Sequence, residues 1–288
     1  VTQKGKYSCD PNLPLVSVCV PTFQHAPYLK ECLDSILAQQ TDFVFEILIG
    51  EDCSTDGTRE ICLEYAASYP DRIRLFLRKE EEKFFLFGRK SGRLNHLGLY
   101  QSAKGKYVCF CDGDDFWCDP TKLQQQVEKM ESNPDISLCL TDTMLSGEDG
   151  SQSLISGLPS QDKLFTFEEL FKRFYLGHIS SWMVRNDMKS LVESPIVKKA
   201  VPLDQVVFLF YRLKGNVYFL SQTTSVYRYN PTGVYRSQSA KKNYKAQFRN
   251  SWYLYRYLHK DTFLYCRAVG YILRRGVDIF VLSKLKRK

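Results

Sequence analysis

No run in the 288 residues approaches eighteen consecutive apolar side chains, so no transmembrane helix is expected. The first fourteen residues are polar and lack the apolar centre of a secretory leader, and the expected location is therefore the cytosol. Histidine is scarce, with four residues against ten cysteines. None lies near Cys109, Cys111 and Cys118, whose spacing is not that of a zinc site. Cys19, Cys109 and Cys111 sit in β-branched or aromatic runs, which predicts reduced thiols acting as small buried hydrophobes. Internal repeats and low-complexity tracts are also missing.

What is present is close to an ordinary globular composition, 44% hydrophobic and 25% charged. The length suits one large α/β domain, or a domain with an appendage. Aromatic residues make up 14%, many of them in the last third. The net charge of +8 is uneven: residues 236–288 hold 14 Lys and Arg against Asp261 and Asp278, so the preceding 235 residues sum to −4. A slightly acidic body with a basic tail suggests two functional parts.

The first half alternates two periodicities. Residues 15–20 form a β-rich run, and 28–39 carry Leu29, Cys32, Leu33, Ile36 and Leu37 on one helical stripe. Strands at 45–49, 73–77 and 107–111 alternate with helices at 58–68 and 94–102, which predicts a largely parallel sheet flanked by helices. The second half is less regular. Helices are expected at 123–130, 167–175 and 203–213, strands at 136–140, 179–184, 217–220 and 225–229, and a surface loop at 146–162. Ligands of open parallel sheets bind beyond the carboxyl ends of the strands. Three such ends carry candidates: Pro21-Thr22, Glu51-Asp52, and Asp112-Gly113-Asp114-Asp115.

Three acids in four positions after a buried strand repel one another, and burial raises the cost. Mg²⁺ or Mn²⁺ removes it, since these ions take oxygen ligands and bridge carboxylates to phosphates. An isolated acidic turn capping the next helix explains the same residues equally well, and the other two polar strand ends tip the balance towards a site.

The chain resembles the family 2 glycosyltransferases with the GT-A fold, a Rossmann-like nucleotide-diphospho-sugar transferase architecture. The matching residues are Leu15 through Phe23, Tyr28-Leu29, Cys32 through Gln39, Glu46 through Thr58, Ala103 through Val108, and Asp112-Gly113-Asp114-Asp115-Phe116-Trp117. The resemblance covers about 15–134 closely and runs more loosely to 236. It implies a GT-A domain over 1–236, with a nucleotide half at 15–117 and an acceptor half at 118–236; the amphipathic pattern beyond it reads as a helical extension at 237–288. It also implies donor binding by Pro21, Thr22, Glu51, Asp52, Asp112 and Asp114, with Asp52 accepting from a nucleobase N–H. Asp114 and Asp115 are the implied ligands of Mn²⁺ or Mg²⁺. Glu51 departs from the Asp more common in the family. Asp56 reads as a helix cap. In the basic loop 88–93, Arg93 is the candidate for the donor phosphates, beside the alternative of a solvated loop balancing Glu80-Glu81-Glu82.

An inverting transfer needs a base at the acceptor hydroxyl. The resemblance implies that an acid near the start of a later helix does this work; Asp204, before an apolar helix, fits, and helix capping is its other reading. The segment Tyr227-Arg228-Tyr229 with Gly233 through Arg236 is expected as a closing loop. Trp182 is open between an acceptor platform and the core. The basic, aromatic tail has amphipathic spacing that suits an anionic membrane interface, although docking on the domain would also satisfy it. Nucleic acid is not an expected partner.

The implied activity is metal-dependent inverting transfer of a sugar, UDP-linked by family resemblance, to a hydroxyl of a glycan or lipid-linked acceptor. Its setting would be cell-surface polysaccharide biosynthesis, with peripheral attachment to the inner membrane. The alternatives are a nucleotidyltransferase, whose glycine-rich activating loop is replaced here by Thr22-Phe23-Gln24-His25, and an inactive nucleotide-sugar-binding scaffold.

Overall fold

Alternate residues of the central strands enter different cores, and this sorts the helices to two sides. Val16, Val18 and Val20 join one buried cluster with Leu29, Leu33, Ile36, Cys62, Leu123 and Val127. Cys19, Leu48, Val108 and Phe110 join the other, with Leu99, Tyr100, Trp182, Leu191, Val207 and Phe208. The period of two is that of a strand buried on both faces. The computed structural model describes residues 13–86, 89–155, 157–166, 169–170, 175–197 and 202–230. Most of the helix expected at 167–175, the loop at 233–236 and the extension at 237–288 lie outside the described residues.

In chain order the elements are β1 (Val16–Thr22), α1 (Ala26–Leu37), β2 (Phe45–Glu51), α2 (Thr58–Ser68), β3 (Ile73–Leu77), β4 (Phe84–Leu86) and β5 (Arg89–Ser91). Then follow α3 (Arg93–Ser102), β6 (Tyr107–Phe110), β7 (Phe116–Trp117), α4 (Lys122–Ser132), β8 (Ile136–Ser146), β9 (Gln152–Leu154) and β10 (Lys163–Phe165). A 3-10 turn at Ile179–Ser181 leads into β11 (Trp182–Arg185), α5 (Met188–Glu193), α6 (Leu203–Arg212) and β12 (Asn216–Arg228).

The main sheet runs β10-β12-β8-β11-β6-β1-β2-β3. β1, β2, β3 and β6 are mutually parallel, as are β8 and β12, and β11 is antiparallel to both β6 and β8. Helices α1, α2 and α4 cover one face, while α3, α5 and α6 cover the other. This is the mostly parallel, helix-flanked α/β architecture expected from the sequence.

Two strands are longer than their apolar runs. β8 continues through Thr141-Asp142-Thr143, and β12 joins the two segments expected at 217–220 and 225–229. The polar residues between them pair in the interior: Thr141 Oγ1 with Thr224 Oγ1 at 2.6 Å, and Thr143 Oγ1 with Ser225 Oγ at 2.8 Å. Register shifts at Leu220/Thr223 and Thr223/Ser225 mark bulges at the polar interruption.

Candidate active site

Backbone hydrogen bonds tie three parallel strand ends together at one edge. Asp52 N donates to Thr22 O at 3.0 Å, Cys111 N to Cys19 O at 3.0 Å, and Gly113 N to Pro21 O at 3.1 Å. The residues after β1, β2 and β6 therefore leave the sheet side by side.

The first two loops are stitched to each other. Gln24 N donates to Ser54 Oγ at 3.0 Å and Gln24 Nε2 to Thr55 Oγ1 at 3.1 Å, while Thr55 N donates to Gln24 Oε1 at 2.9 Å. Gln24 and Cys53 hold φ of 56° and 62°, a left-handed backbone that costs a non-glycine residue about 1 kcal/mol or more. Asp56 accepts from Thr58 N at 3.1 Å and Ala26 N at 3.1 Å, capping α2 and the start of α1 together.

Glu51 and Asp52 are adjacent but differently engaged. Glu51 is wholly buried; its carboxylate accepts from Ser54 N at 2.6 Å and pairs with Arg59, which also donates to Arg78 O at 2.8 Å. Glu51 thus builds the loop. The Asp52 carboxylate accepts no hydrogen bond among the described residues although Asp52 is only 7% exposed, and burial raises its pKa while Lys83 opposes the rise. Beside it, Phe23 is exposed and carries the Lys83 ammonium 4.2 Å from its ring centroid. A buried, uncommitted acceptor next to an open aromatic ring suits a flat ligand with an N–H edge.

The acidic loop packs directly on β1. A Cβ on Gly113 would stand 2.6 Å from Thr22 Oγ1 and 2.9 Å from His25 Nδ1, so glycine is required. Asp112 is half-buried; burial first, then Asp114 and Asp204, push its pKa up to about 7. Asp114 accepts from Asn230 Nδ2 at 2.9 Å and lies 3.5 Å from His25 Nε2.

Asp115 is placed differently from the sequence expectation of a metal ligand. It is wholly buried, Oδ2 accepts from Ser180 Oγ at 2.6 Å, and Oδ1 accepts from Arg228 N at 3.2 Å. These bonds hold the 3-10 turn and the end of β12 against the loop. His178, 3.6 Å from the same carboxylate and held near pKa 4 by burial, stacks on Tyr227 at 4.3 Å. Arg228 pairs with Glu31 and lies over the Phe116 ring at 4.4 Å. The Tyr227-Arg228 segment is therefore a clamp at the end of β12 rather than a free loop.

Asp204 stands in the first turn of α6, half-buried, with Oδ1 accepting from Gln205 N at 2.8 Å. Burial raises its pKa; Tyr175, through a hydrogen bond to the carboxylate, and the nearby Arg93 charge oppose the rise. Arg93, at the start of α3, is 5% exposed and donates to Val197 O, and burial brings its pKa down to about 10. Its guanidinium thus neighbours Asp204. Trp182 is wholly buried among Tyr175 and Phe208, a core residue rather than a sugar platform.

Sequence reasoning missed His25, Tyr175, Ser180 and Asn230 as parts of this cleft. Asn230 follows the Tyr-Arg-Tyr segment and Ser180 precedes Trp182, so proximity to quoted motifs was the only signal. Tyr175 carried none.

Among the described residues no group of three or more His, Cys, Asp or Glu is arranged to hold a metal ion. Mg²⁺ and Mn²⁺ do not require one, since one or two carboxylates plus substrate phosphates suffice. Asp112 and Asp114 supply hard oxygen donors, and a cation would offset both the burial that chiefly lifts Asp112 and the repulsion from Asp114 that adds to it. This pair fits such an ion, whereas both Asp115 oxygens are already engaged inside the protein.

Glycosyl transferase family 2 matches residues 17–183, more than half of the chain. The chain belongs to that family. It is 28% identical over 222 residues to an uncharacterized protein of Mycobacterium tuberculosis, covering 77% of this chain and 61% of that protein. It is 28% identical over 252 residues to TuaG of Bacillus subtilis, whose name assigns it to teichuronic acid biosynthesis as a glycosyltransferase; the match covers 87% of this chain and 91% of TuaG. Two solved structures share the fold. Staphylococcus aureus TarS in complex with UDP-GlcNAc has a TM-score of 0.59 at 18% identity, over 82% of this chain and 65% of that one. The mannosyltransferase PcManGT of Pyrobaculum calidifontis, in complex with GDP-Man and Mn²⁺, has a TM-score of 0.58 at 14% identity, over 99% and 84%. The family match ends before Asp204, so the case for that residue rests on geometry.

Proposed function

We propose that this family 2 member is an inverting, metal-dependent glycosyltransferase that moves a sugar from a nucleotide-sugar to an acceptor hydroxyl. The observation that carries the reading is the convergence of three strand ends at one sheet edge, with Asp52 N on Thr22 O at 3.0 Å and Gly113 N on Pro21 O at 3.1 Å, and with Asp204 of α6 near enough for its charge to act on Asp112. A donor-holding acid and a candidate base then share one cleft.

In this reading Asp52 accepts the nucleobase N–H, Phe23 offers its open face to the ring, and the β1 end at Pro21-Thr22 forms the floor. Glu51 supports Asp52 from behind. Asp112 and Asp114 would hold Mn²⁺ or Mg²⁺, which would supply positive charge to offset that of the donor phosphates. Asp204 takes the acceptor proton as the acceptor oxygen bonds to the anomeric carbon. The bond from that carbon to the phosphate oxygen breaks, and one displacement inverts the centre. Arg93 acts from the base side of the cleft.

A UDP donor is supported by the UDP-GlcNAc complex of TarS, and a glycan or lipid-linked acceptor in cell-surface polysaccharide assembly by the name of TuaG. The basic tail supports peripheral attachment to an anionic cytoplasmic membrane face, and no helix among the described residues is long and apolar enough to cross a membrane. Liposome flotation at low salt tests the attachment, and failure to float with anionic vesicles ends it. The catalytic reading is tested by metal-dependent turnover across UDP-, GDP- and dTDP-sugars, comparing the native chain with Asp204→Asn. Donor binding retained with transfer lost supports it; undiminished transfer removes Asp204 as the base.

A further inference from the structure

Tyr175 stands at a point that the chemistry above does not use. Its phenol donates a hydrogen bond to the Asp204 carboxylate. Asp204 and Phe208 are four residues apart on α6 and so lie on one face, a turn apart. The Tyr175 ring packs against Phe208, 6.2 Å between centroids, and against Trp182 at 5.1 Å. Trp182 is itself fixed in β11, wholly buried, with Nε1 donating to Leu176 O at 3.0 Å. Tyr175 is therefore clamped between helix and sheet with its hydroxyl at Asp204. From its own helix Asp204 receives backbone amides alone, those of Gln205 and of Asp204 itself. Both come from the backbone beside it at the helix start, and a side-chain donor from another element adds a constraint on the carboxylate plane that they do not supply.

We propose that Tyr175 is the positioning residue for Asp204: its hydroxyl sets the carboxylate plane so that the remaining lone pairs face the acceptor hydroxyl. The inference rests on Asp204 being the base. Arg93, anchored on Val197 O, completes the surroundings as a fixed positive charge beside that carboxylate.

Tyr175→Phe keeps the ring and removes the bond. Crystal structures of the native chain and of the variant should show one Asp204 carboxylate orientation in the first and a rotated or divided one in the second. An unchanged orientation in Tyr175→Phe overturns the proposal, whichever nucleotide-sugar the enzyme uses. The kinetic arm follows nucleoside diphosphate release from UDP-GlcNAc or GDP-mannose with Mn²⁺, water serving as acceptor. Turnover should fall about tenfold or more, with donor KM and the unfolding midpoint unchanged, the pattern of a lost transition-state contribution. In an Asp204→Asn background the same change should add less than about twofold, because residues acting as a unit are not additive. A full additional loss there would make Tyr175 merely structural. If Asp204→Asn alone keeps full turnover, the base assignment falls and this inference with it. If Asp204→Asn is inactive while Tyr175→Phe is fully active, only the Tyr175 inference falls.

Discussion

On the side of β1, β2 and β6, the cleft is lined by loops that hydrogen-bond to one another. Gln24 reaches Ser54 and Thr55, Asp56 caps two helices, and Glu51 is saturated by Ser54 and Arg59. On the side of α6, Asp204 is held by its own helix and by one phenol, Tyr175, whose position depends on aromatic packing. The first wall is thus rigid through several polar bonds between its loops, and the second through a few bonds and aromatic packing. A nucleotide is a constant ligand that a fixed wall can serve. An acceptor differs from one family member to another, and a sparsely bonded wall changes with few substitutions.

The largest expected effect breaks the donor wall. Asp114→Ala removes a half-buried oxygen donor and should lower turnover about a thousandfold or more, with loss of metal-stimulated donor binding in calorimetry. Asp115→Ala should divide the effects differently. It leaves Ser180 Oγ and Arg228 N without their buried acceptor, which costs on the order of 1–3 kcal/mol for each. Unfolding in denaturant should move to lower concentration by a corresponding amount. If Asp115→Ala instead kept native stability and lost only metal binding, the contrast drawn here between Asp114 and Asp115 would be wrong.

The next effect sharpens the acceptor wall. Asp204→Asn should lower transfer about a hundredfold to ten-thousandfold while the donor Kd stays within twofold. Because burial raises the Asp204 pKa, the base form is lost earlier on acidification than for an exposed aspartate. The acidic limb of kcat should then lie above that of an exposed aspartate, with activity falling as pH drops through it, and Asp204→Asn should abolish that limb. A limb unchanged in the variant would assign it to another group.

These two walls were not equally readable in the sequence. Strand ends at Thr22, Asp52 and Asp112 follow from local runs of apolar residues, and parallel topology brings them together without further information. Asp204 was legible through the family resemblance, which places an acid at the start of a later apolar helix. Tyr175 and Ser180 were not, since each meets its partner only through packing of distant segments, 29 and 65 positions apart in the chain. The inward turn of Asp115 was hidden for the same reason: in sequence it is one more acid in a cluster, and only Ser180 and the end of β12 reveal its role. β12 was read as two strands because Ser221-Gln222-Thr223-Thr224 is polar; Ser221 and Gln222 are exposed, whereas Thr224 pairs with Thr141 in the interior.

The smallest expected effect tests whether the donor loop is shaped in advance. Cys53 is a non-glycine residue at φ 62°, next to Asp52. Cys53→Gly relieves about 1 kcal/mol of left-handed strain, and glycine returns about 0.5–1 kcal/mol through the greater freedom of the unfolded chain. The two terms oppose each other, so the unfolding midpoint should scarcely move. Donor affinity should respond more, because a glycine at 53 lets the loop leave the conformation that holds Asp52 against Thr22 O. A several-fold weaker Kd for a nucleoside diphosphate at unchanged stability would show that the strain serves pre-organisation. Equal affinity would mean that the Gln24–Ser54–Thr55 stitching fixes this wall alone, and that the left-handed turn is only the path the backbone takes between its anchors.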